Sequence, residues 1–281
     1  MPNDSAAASL AQLTGELRAL GLRAGDVVMV HASLKAVGPV EGGGATVAQA
    51  LLDVVMPAGG ILAFGSWDAS PYMETLNGAR LDDDARAQWP VFDPAHAPTY
   101  RGFGLLNEFL RKLPGAERSP HPDASMIGVG SAAPMVRQHP LGCAYGPGSP
   151  LERLLQANGR VLLLGAPPDS LTVLHYAEAI AEIPGKRRVS YEMPMPAEDG
   201  GVRWVRAEDF DSNGILDCFA AEGCMDAVES IARDYIREQP HLQGRVGHAH
   251  CRLFEAASLV DYGRRWLEQR FRDDLPHDEA S

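Results

Sequence analysis

His175 and Glu178 stand three residues apart in the run LTVLHYAEAI, residues 171–180, just after the strand-like RVLLLGA. On a helix, residues at i and i+3 share a strip of surface, so the two side chains can meet. An imidazole oriented by a carboxylate is the unit of general-base catalysis: the ring takes a proton and the acid stabilises the charge it acquires. Val173, Leu174, Ala177, Ile180 and Ala181 form the apolar face of such a helix, which leaves His175, Glu178 and Glu182 off that face. A solvated polar stripe would account for the same pattern. Context argues for chemistry. The helix follows an apolar strand, and ligands of open α/β sheets gather at the carboxyl ends of the strands. His175 also lies early in the helix, where the positive end of the dipole disfavours imidazolium and keeps the ring a base.

A second constellation is HASLKAVGPVEGGGAT, which begins at His31. It supplies Ser33, Lys35 and several glycine amides ahead of a helix N-terminus, a combination suited to phosphate or pyrophosphate. It has neither the Gly-Lys-Ser/Thr ending of a Walker loop nor G-x-G-x-x-G, so an ordinary strand-to-helix turn explains it as well. Cys143, Cys218, Cys224 and Cys251 match neither zinc nor dithiol spacing. His248 and His250 would share one strand face without carboxylates, an incomplete ligand set, and no metal is expected. No cysteine lies in a nucleophile motif and no G-x-S-x-G elbow occurs, so a covalent nucleophile is not indicated.

Helical periodicity covers residues 8–20, ending at Gly21, and 45–56; the strands DVVMVHAS and ILAFGSW flank the glycine-rich loop and second helix. Residues 68–102 are irregular and rich in Asp, Pro, Trp and Tyr, as functional segments often are. A helix over 103–113, short buried strands at 125–130 and 160–166, and the helical run SPLERLLQA between those strands come next. The helix carrying His175 is expected to start at an Asp169 or Ser170 cap and run to about Ile183. A hairpin turns around EDGG between RRVSYEMPM and GVRWVRAED, and helix, strand and helix (226–238, 248–256, 258–271) close the chain. No linker or repeat interrupts residues 1–281. The fold expected is α/β: a single domain, core about 8–270, with a central sheet covered by helices and mixed because of the hairpin.

The chain has 281 residues, 25 Lys and Arg against 37 Asp and Glu, and a net charge of −12, which argues against nucleic acid. No apolar run is long enough for a bilayer and the N-terminus lacks a signal-peptide pattern, so a cytoplasmic protein is expected. The acids Asp68, Glu74, Asp82, Asp83, Asp84, Asp93, Glu178, Asp209, Asp211 and Asp217 could line a cleft for a polycation, with Trp67 and Tyr72 packing on its rings; solvent exposure explains any one of them as simply. Asp82–Asp84 are the clearest bystanders, since consecutive residues point in different directions.

HASLKAVGPVEGG, ILAFGSWDASPY, FDPAHAP, RSPHPDASMIGVG, LHYAEA and DFDSNGILD, in this order, resemble the aminoglycoside 3-N-acetyltransferases of the antibiotic N-acetyltransferase family, closest to gentamicin-type members. The resemblance spans roughly residues 8–270. It implies the family's own α/β fold and transfer of acetyl from acetyl-CoA to the 3-amino group of a 2-deoxystreptamine ring in an aminoglycoside antibiotic. The common small acetyltransferase fold, marked by Q/R-x-x-G-x-G/A, is not implied; RGFGLL from Arg101 fails that pattern at its last position. By the resemblance His175 is the catalytic histidine, Glu178 its motif's acid and Asp211, or Asp209, a further acid. Asp68, Tyr72, Glu178, Asp209, Asp211 and Asp217 fall to the antibiotic. His31, Ser33, Lys35, Ala36, Val37, Gly38, Ser119 and Ser125, with His121 as a further candidate or a structural turn histidine, fall to acetyl-CoA. Other small-amine acceptors and a non-catalytic CoA- or aminoglycoside-binding module are the alternatives, and the protein is expected as a monomer or homodimer.

Overall fold

The computed structural model describes residues 6–221 and 223–271. Seven strands form one sheet: β1 (Val27–Ala32), β2 (Gly60–Phe64), β3 (Glu117–Arg118), β4 (Met126–Gly130), β5 (Arg160–Leu164), and, beyond the β6–β7 hairpin (Arg188–Pro196 and Val202–Phe210), β8 (Leu242–Val246) and β9 (Ala249–Glu255). Their order is β3-β4-β2-β1-β5-β9-β8. β1 pairs in parallel with β2 and β5, while β4 and β9 run antiparallel to β2 and β5, so the sheet is mixed as expected. The reason is different. The β6–β7 hairpin, in register from Arg188↔Phe210 to Pro196↔Val202, is a separate two-stranded sheet. It buries Val189, Tyr191, Met193 and Ala207 against Tyr72, Leu76 and Leu141.

Strand alternation divides the core in two. Val28, Val30, Ile61, Leu162 and Leu164 face the helices Leu10–Leu20 and Gly44–Val55. Met29, Leu62, Val161 and Leu163 face the layer built by the helices Pro150–Gln156, Leu174–Ile180, Ala227–Glu238 and Ala256–Arg270. Each such side chain, once fully buried, contributes ~1.5–3 kcal/mol. His31 follows Met29 by two and so points into the second layer.

Two helices are shorter than their patterns suggest. The site helix spans Leu174–Ile180, with Val173 at its N-cap. Asp169 and Ser170 belong instead to a 3-10 turn, Pro168–Ser170, and the Ser170 hydroxyl donates to the carbonyl of Pro167 at 2.5 Å. At the other end the Lys186 ammonium donates to the carbonyls of Glu178, Ala179 and Ala181, satisfying groups a longer helix would have bonded itself. The expected helix over 103–113 is a 3-10 turn, Arg101–Phe103, followed by Leu106–Arg111. Gly104 separates them with φ 97°, and a Cβ there would lie 2.7 Å from the carbonyl oxygen of Ala32. Only glycine lets this turn approach the end of β1 so closely.

Candidate active site

A cavity of about 640 Å³ opens at the carboxyl ends of β1, β2 and β5. His31, Ser33, Leu34 and Lys35 enter it from the end of β1 and the turn beyond, and Phe64 from β2. The segment 101–105 and the stretch 166–175, which leads into the site helix, complete much of its wall, with Tyr145, Ser212 and Asn213 opposite.

His175 lines this cavity, and its Nδ1 lies 2.6 Å from Glu178 Oε2. Glu178 is buried, its side chain 5% exposed. Nε2 is therefore the ring nitrogen left to the cavity. Burial pulls the His175 pKa down, but the charge and hydrogen bond of Glu178 outweigh it and raise the ring above its ordinary value. The dipole of a two-turn helix does not decide the protonation state; Glu178 does. His31 is the opposite case: burial, with the charge of His175 adding to it, lowers its pKa to about 4, so this second imidazole is neutral. The Tyr145 ring lies 5.0 Å from that of His175, and burial holds its phenol well above the ordinary value and hence protonated.

Behind the pair lies a group of buried acids. Asp209 Oδ2 accepts from the amide of Ala144 at 2.6 Å, fastening the segment that carries Tyr145, and its Oδ1 accepts from Phe210. Asp211 is held by Arg187 at 3.1 Å and accepts from the amide of Asn213 at 3.0 Å; it makes no hydrogen bond to His175. Of the acids open to that role, Glu178 is the one hydrogen-bonded to the ring, while Asp211, a further candidate acid, is engaged by Arg187 and Asn213. Asp217 is 91% exposed, pairs with Arg187 at 2.7 Å and lies off the cavity lining. Asp68 is exposed and also off it. Tyr72 packs on Tyr191 at 5.0 Å and accepts from Asn213 Nδ2 at 3.4 Å, at the edge of the acid group. Trp67 is buried against Phe92, which excludes it as a stacking surface for a sugar.

On the expected acetyl-CoA side, the structure brings His31, Ser33 and Lys35 to the cavity. The Ser33 hydroxyl accepts from the amide of Ala36 as the cap of the short helix Leu34–Val37. Ala36, Val37 and Gly38 lie behind that wall: Val37 is core, and its carbonyl accepts from His248. Ser119 and Ser125 are fully buried and do not line the cavity. Ser119 accepts from the amide of Met126 and bonds His139, while Ser125 accepts from Arg118. His121 is likewise interior, with Nδ1 accepting from the amide of Ala124. These three residues lock a turn under the site. Their polarity suggested a surface role; the structure uses it to bury a loop, with His121 Nε2 left as a buried atom without a hydrogen-bond partner.

Several contributors escaped the sequence reading. Arg101 and Phe103 lie in the run set aside as a failed glycine motif, and Tyr145 sits in a stretch without periodicity. Asp123, within the quoted RSPHPDAS, accepts from the Ser70 hydroxyl at 2.7 Å. Burial pushes its carboxyl up to about 6, the Ser70 bond opposes this and the charge of Asp209 reinforces it. Among the described residues no cluster of three metal-ligating side chains occurs, and no helix is long and apolar enough to cross a membrane.

Residues 29–268 match a family profile described as aminoglycoside 3-N-acetyltransferase. An aminoglycoside N(3)-acetyltransferase III of Serratia marcescens is 60% identical over 264 residues, covering 94% of this chain and 98% of its own. Among solved structures, AAC-VIa with bound sisomicin is 50% identical with a TM-score of 0.92, covering 95% of this chain and 100% of that one. AAC-IIIb in a binary complex with CoASH is 39% identical with a TM-score of 0.88, covering 95% and 98%.

Proposed function

The chain belongs to the aminoglycoside 3-N-acetyltransferases, enzymes of antibiotic resistance, and from that premise we propose that it acetylates its antibiotic by direct transfer with His175 as general base. The observation that carries this reading is the 2.6 Å His175–Glu178 pair set in the wall of the large cavity.

The 3-amino group of a bound aminoglycoside arrives as an ammonium and must first release one proton to solvent to free its lone pair. His175 Nε2 takes a second proton from the nitrogen as that nitrogen bonds to the thioester carbon. The carbonyl electrons move onto oxygen and then return to expel sulfur, and the imidazolium delivers the proton to the departing CoA thiolate. Glu178 stabilises the imidazolium between these steps. Proton transfer by a positioned base contributes ~10²–10⁴-fold, and holding amine and thioester together supplies much of the rest. The protonated Tyr145 phenol and the Ser33 hydroxyl are the donors available to the developing oxyanion.

The cavity lining carries the cations Lys35 and Arg101, and a group of acids lies behind it, outside the lining. Lys35 and Arg101 suit the phosphates of acetyl-CoA, with Phe64 and Phe103 as apolar walls for its thiol arm; the CoASH complex of the AAC-IIIb relative supports this co-substrate. Asp123, Asp209 and Asp211, with Tyr72 at their edge, suit the ammonium groups of an aminoglycoside such as the sisomicin bound by AAC-VIa. Asp68 and Asp217, both exposed, add only long-range attraction. The test is CoA-thiol release with a panel of aminoglycosides, with mapping of the acetylated nitrogen. Turnover only with drug present, modification at the 3-amino group, and a loss of about 10²-fold or more in kcat for His175→Ala with unchanged acetyl-CoA affinity are expected. Near-normal turnover of that variant would remove the base assignment.

A further inference from the structure

The outer two strands of the main sheet carry a polar group that the reaction does not use. Cross-strand partners share a face, and here Arg245 pairs with His250 and Gln243 with Arg252. All four side chains therefore rise from one side of β8–β9, while Leu242, Val246, Ala249, Cys251 and Leu253 belong to the other. Arg245 Nη2 lies 2.9 Å from His250 Nε2, so the imidazole serves as an acceptor there. Arg252 is half-buried, and its Nε is shielded from solvent without a hydrogen-bond partner. Among the described residues no carboxylate pairs with Arg245 or Arg252, although acids outnumber bases in the chain and nearby Arg160 holds both Asp26 and Glu255. Two arginines at diagonal positions of the ladder thus line a groove of about 310 Å³ whose lining is confined to β8 and β9. Gly244 lines the groove and brings no side chain to it.

We propose that this groove is a binding site for a phosphate group. Guanidinium forks match the oxygens of a phosphate dianion in geometry and charge. Arg252 Nε supplies a donor already desolvated and waiting for an acceptor, and the Gln243 amide supplies another. The site is also placed to serve the main cavity. His31, Leu163 and Arg252 are successive cross-strand neighbours on the same face, so Arg252 stands two inter-strand steps of ~4.8 Å from the cavity wall. His250 accepts from Gly165, which leads directly into the lining residues Ala166 and Pro167. Two sources of phosphate fit this chemistry: the 3′-phosphate of the co-substrate, a source that rests on the acetyl-CoA reading above, and free phosphate.

Inorganic phosphate titrated against the whole protein, followed by thermal shift and by the NMR signals of residues 243–252, tests the site without turnover. Saturable binding in the wild type is expected, weakened about tenfold or more in Arg252→Gln and in Arg245→Gln. Steady-state KM for acetyl-CoA and for its 3′-dephospho analogue separates the sources. If the co-substrate is the occupant, the wild type prefers acetyl-CoA, and Arg252→Gln makes the two equivalent with kcat unchanged. A preference absent in both proteins, with phosphate binding still lost in the variants, assigns the site to free phosphate. Equal phosphate response in the wild type and both variants, or none in any of them, overturns the proposal.

Discussion

Replacing Glu178 by Gln keeps the side-chain size and a hydrogen-bond acceptor but removes the charge that sets the protonation of His175. Burial and Glu178 act in opposite directions on this ring, and Glu178 prevails. Without its charge, burial is opposed only by the more weakly acting Asp226 and Asp209, and the His175 pKa should fall. The imidazolium formed in the transition state loses its counter-charge as well. For centres of charge ~4 Å apart, at the effective dielectric of ~20 that suits protein sites, that attraction is about 4 kcal/mol, or about 10³ in rate. Glu178→Gln should therefore lower kcat by roughly 10²–10³-fold. The acid limb of kcat/KM, where His175 becomes protonated and useless as a base, should move to lower pH. The assay is CoA-thiol release with saturating aminoglycoside from about pH 5 to 9, with log kcat/KM plotted against pH. A limb moving to higher pH, or a kcat within about tenfold of wild type at the plateau, would show that Glu178 does not govern this imidazole.

The remaining predictions concern the walls of the site. Arg101→Gln should raise KM for acetyl-CoA several-fold while leaving KM for the antibiotic unchanged, as steady-state kinetics with each substrate varied would show. Asp123, with its carboxyl at about 6, binds a cation only when ionised, so KM for the aminoglycoside should fall as pH rises through that value. In Asp123→Asn that dependence should vanish and KM stay high. Arg118 is a buried strut: its guanidinium donates to the carbonyls of Ser66 and Ala97 and to the Ser125 hydroxyl. Arg118→Met should destabilise the fold by about 3 kcal/mol or more, read by denaturant unfolding, because several carbonyls lose a charged donor at once.

Much of the architecture could be read locally. Apolar runs of five or six residues gave β1, β2, β4 and β5, and the 3.6-residue period gave the helices Leu10–Leu20, Gly44–Val55 and Ala227–Glu238, the last with the Asp226 side chain at its N-cap. β8 was invisible. LQGRV carries glycine and charge, and becomes a strand only because β9 offers it a ladder. The β6–β7 hairpin was legible as a hairpin, but its independence from the main sheet was not, since alternation says how a strand is paired and nothing of where the pair docks. Helix ends moved for reasons outside the helices, as Lys186 at Ala181 and the Ala32 carbonyl at Gly104 show.

The same division holds at the site. His175 and Glu178 could be paired from sequence because their contact is set by helix geometry over three residues, and the folded chain keeps it at 2.6 Å. Contacts across long stretches of chain were decided elsewhere: Arg187, not His175, holds Asp211; the amide of Ala144 claims Asp209; Trp67 turns inward onto Phe92; Ser119 and Ser125 are absorbed by a buried network. Sequence fixes which groups are available and which near neighbours they meet, through backbone periodicity. Only the tertiary structure decides which of them reach the cavity, because burial forces each polar group to take whatever partner the packing brings.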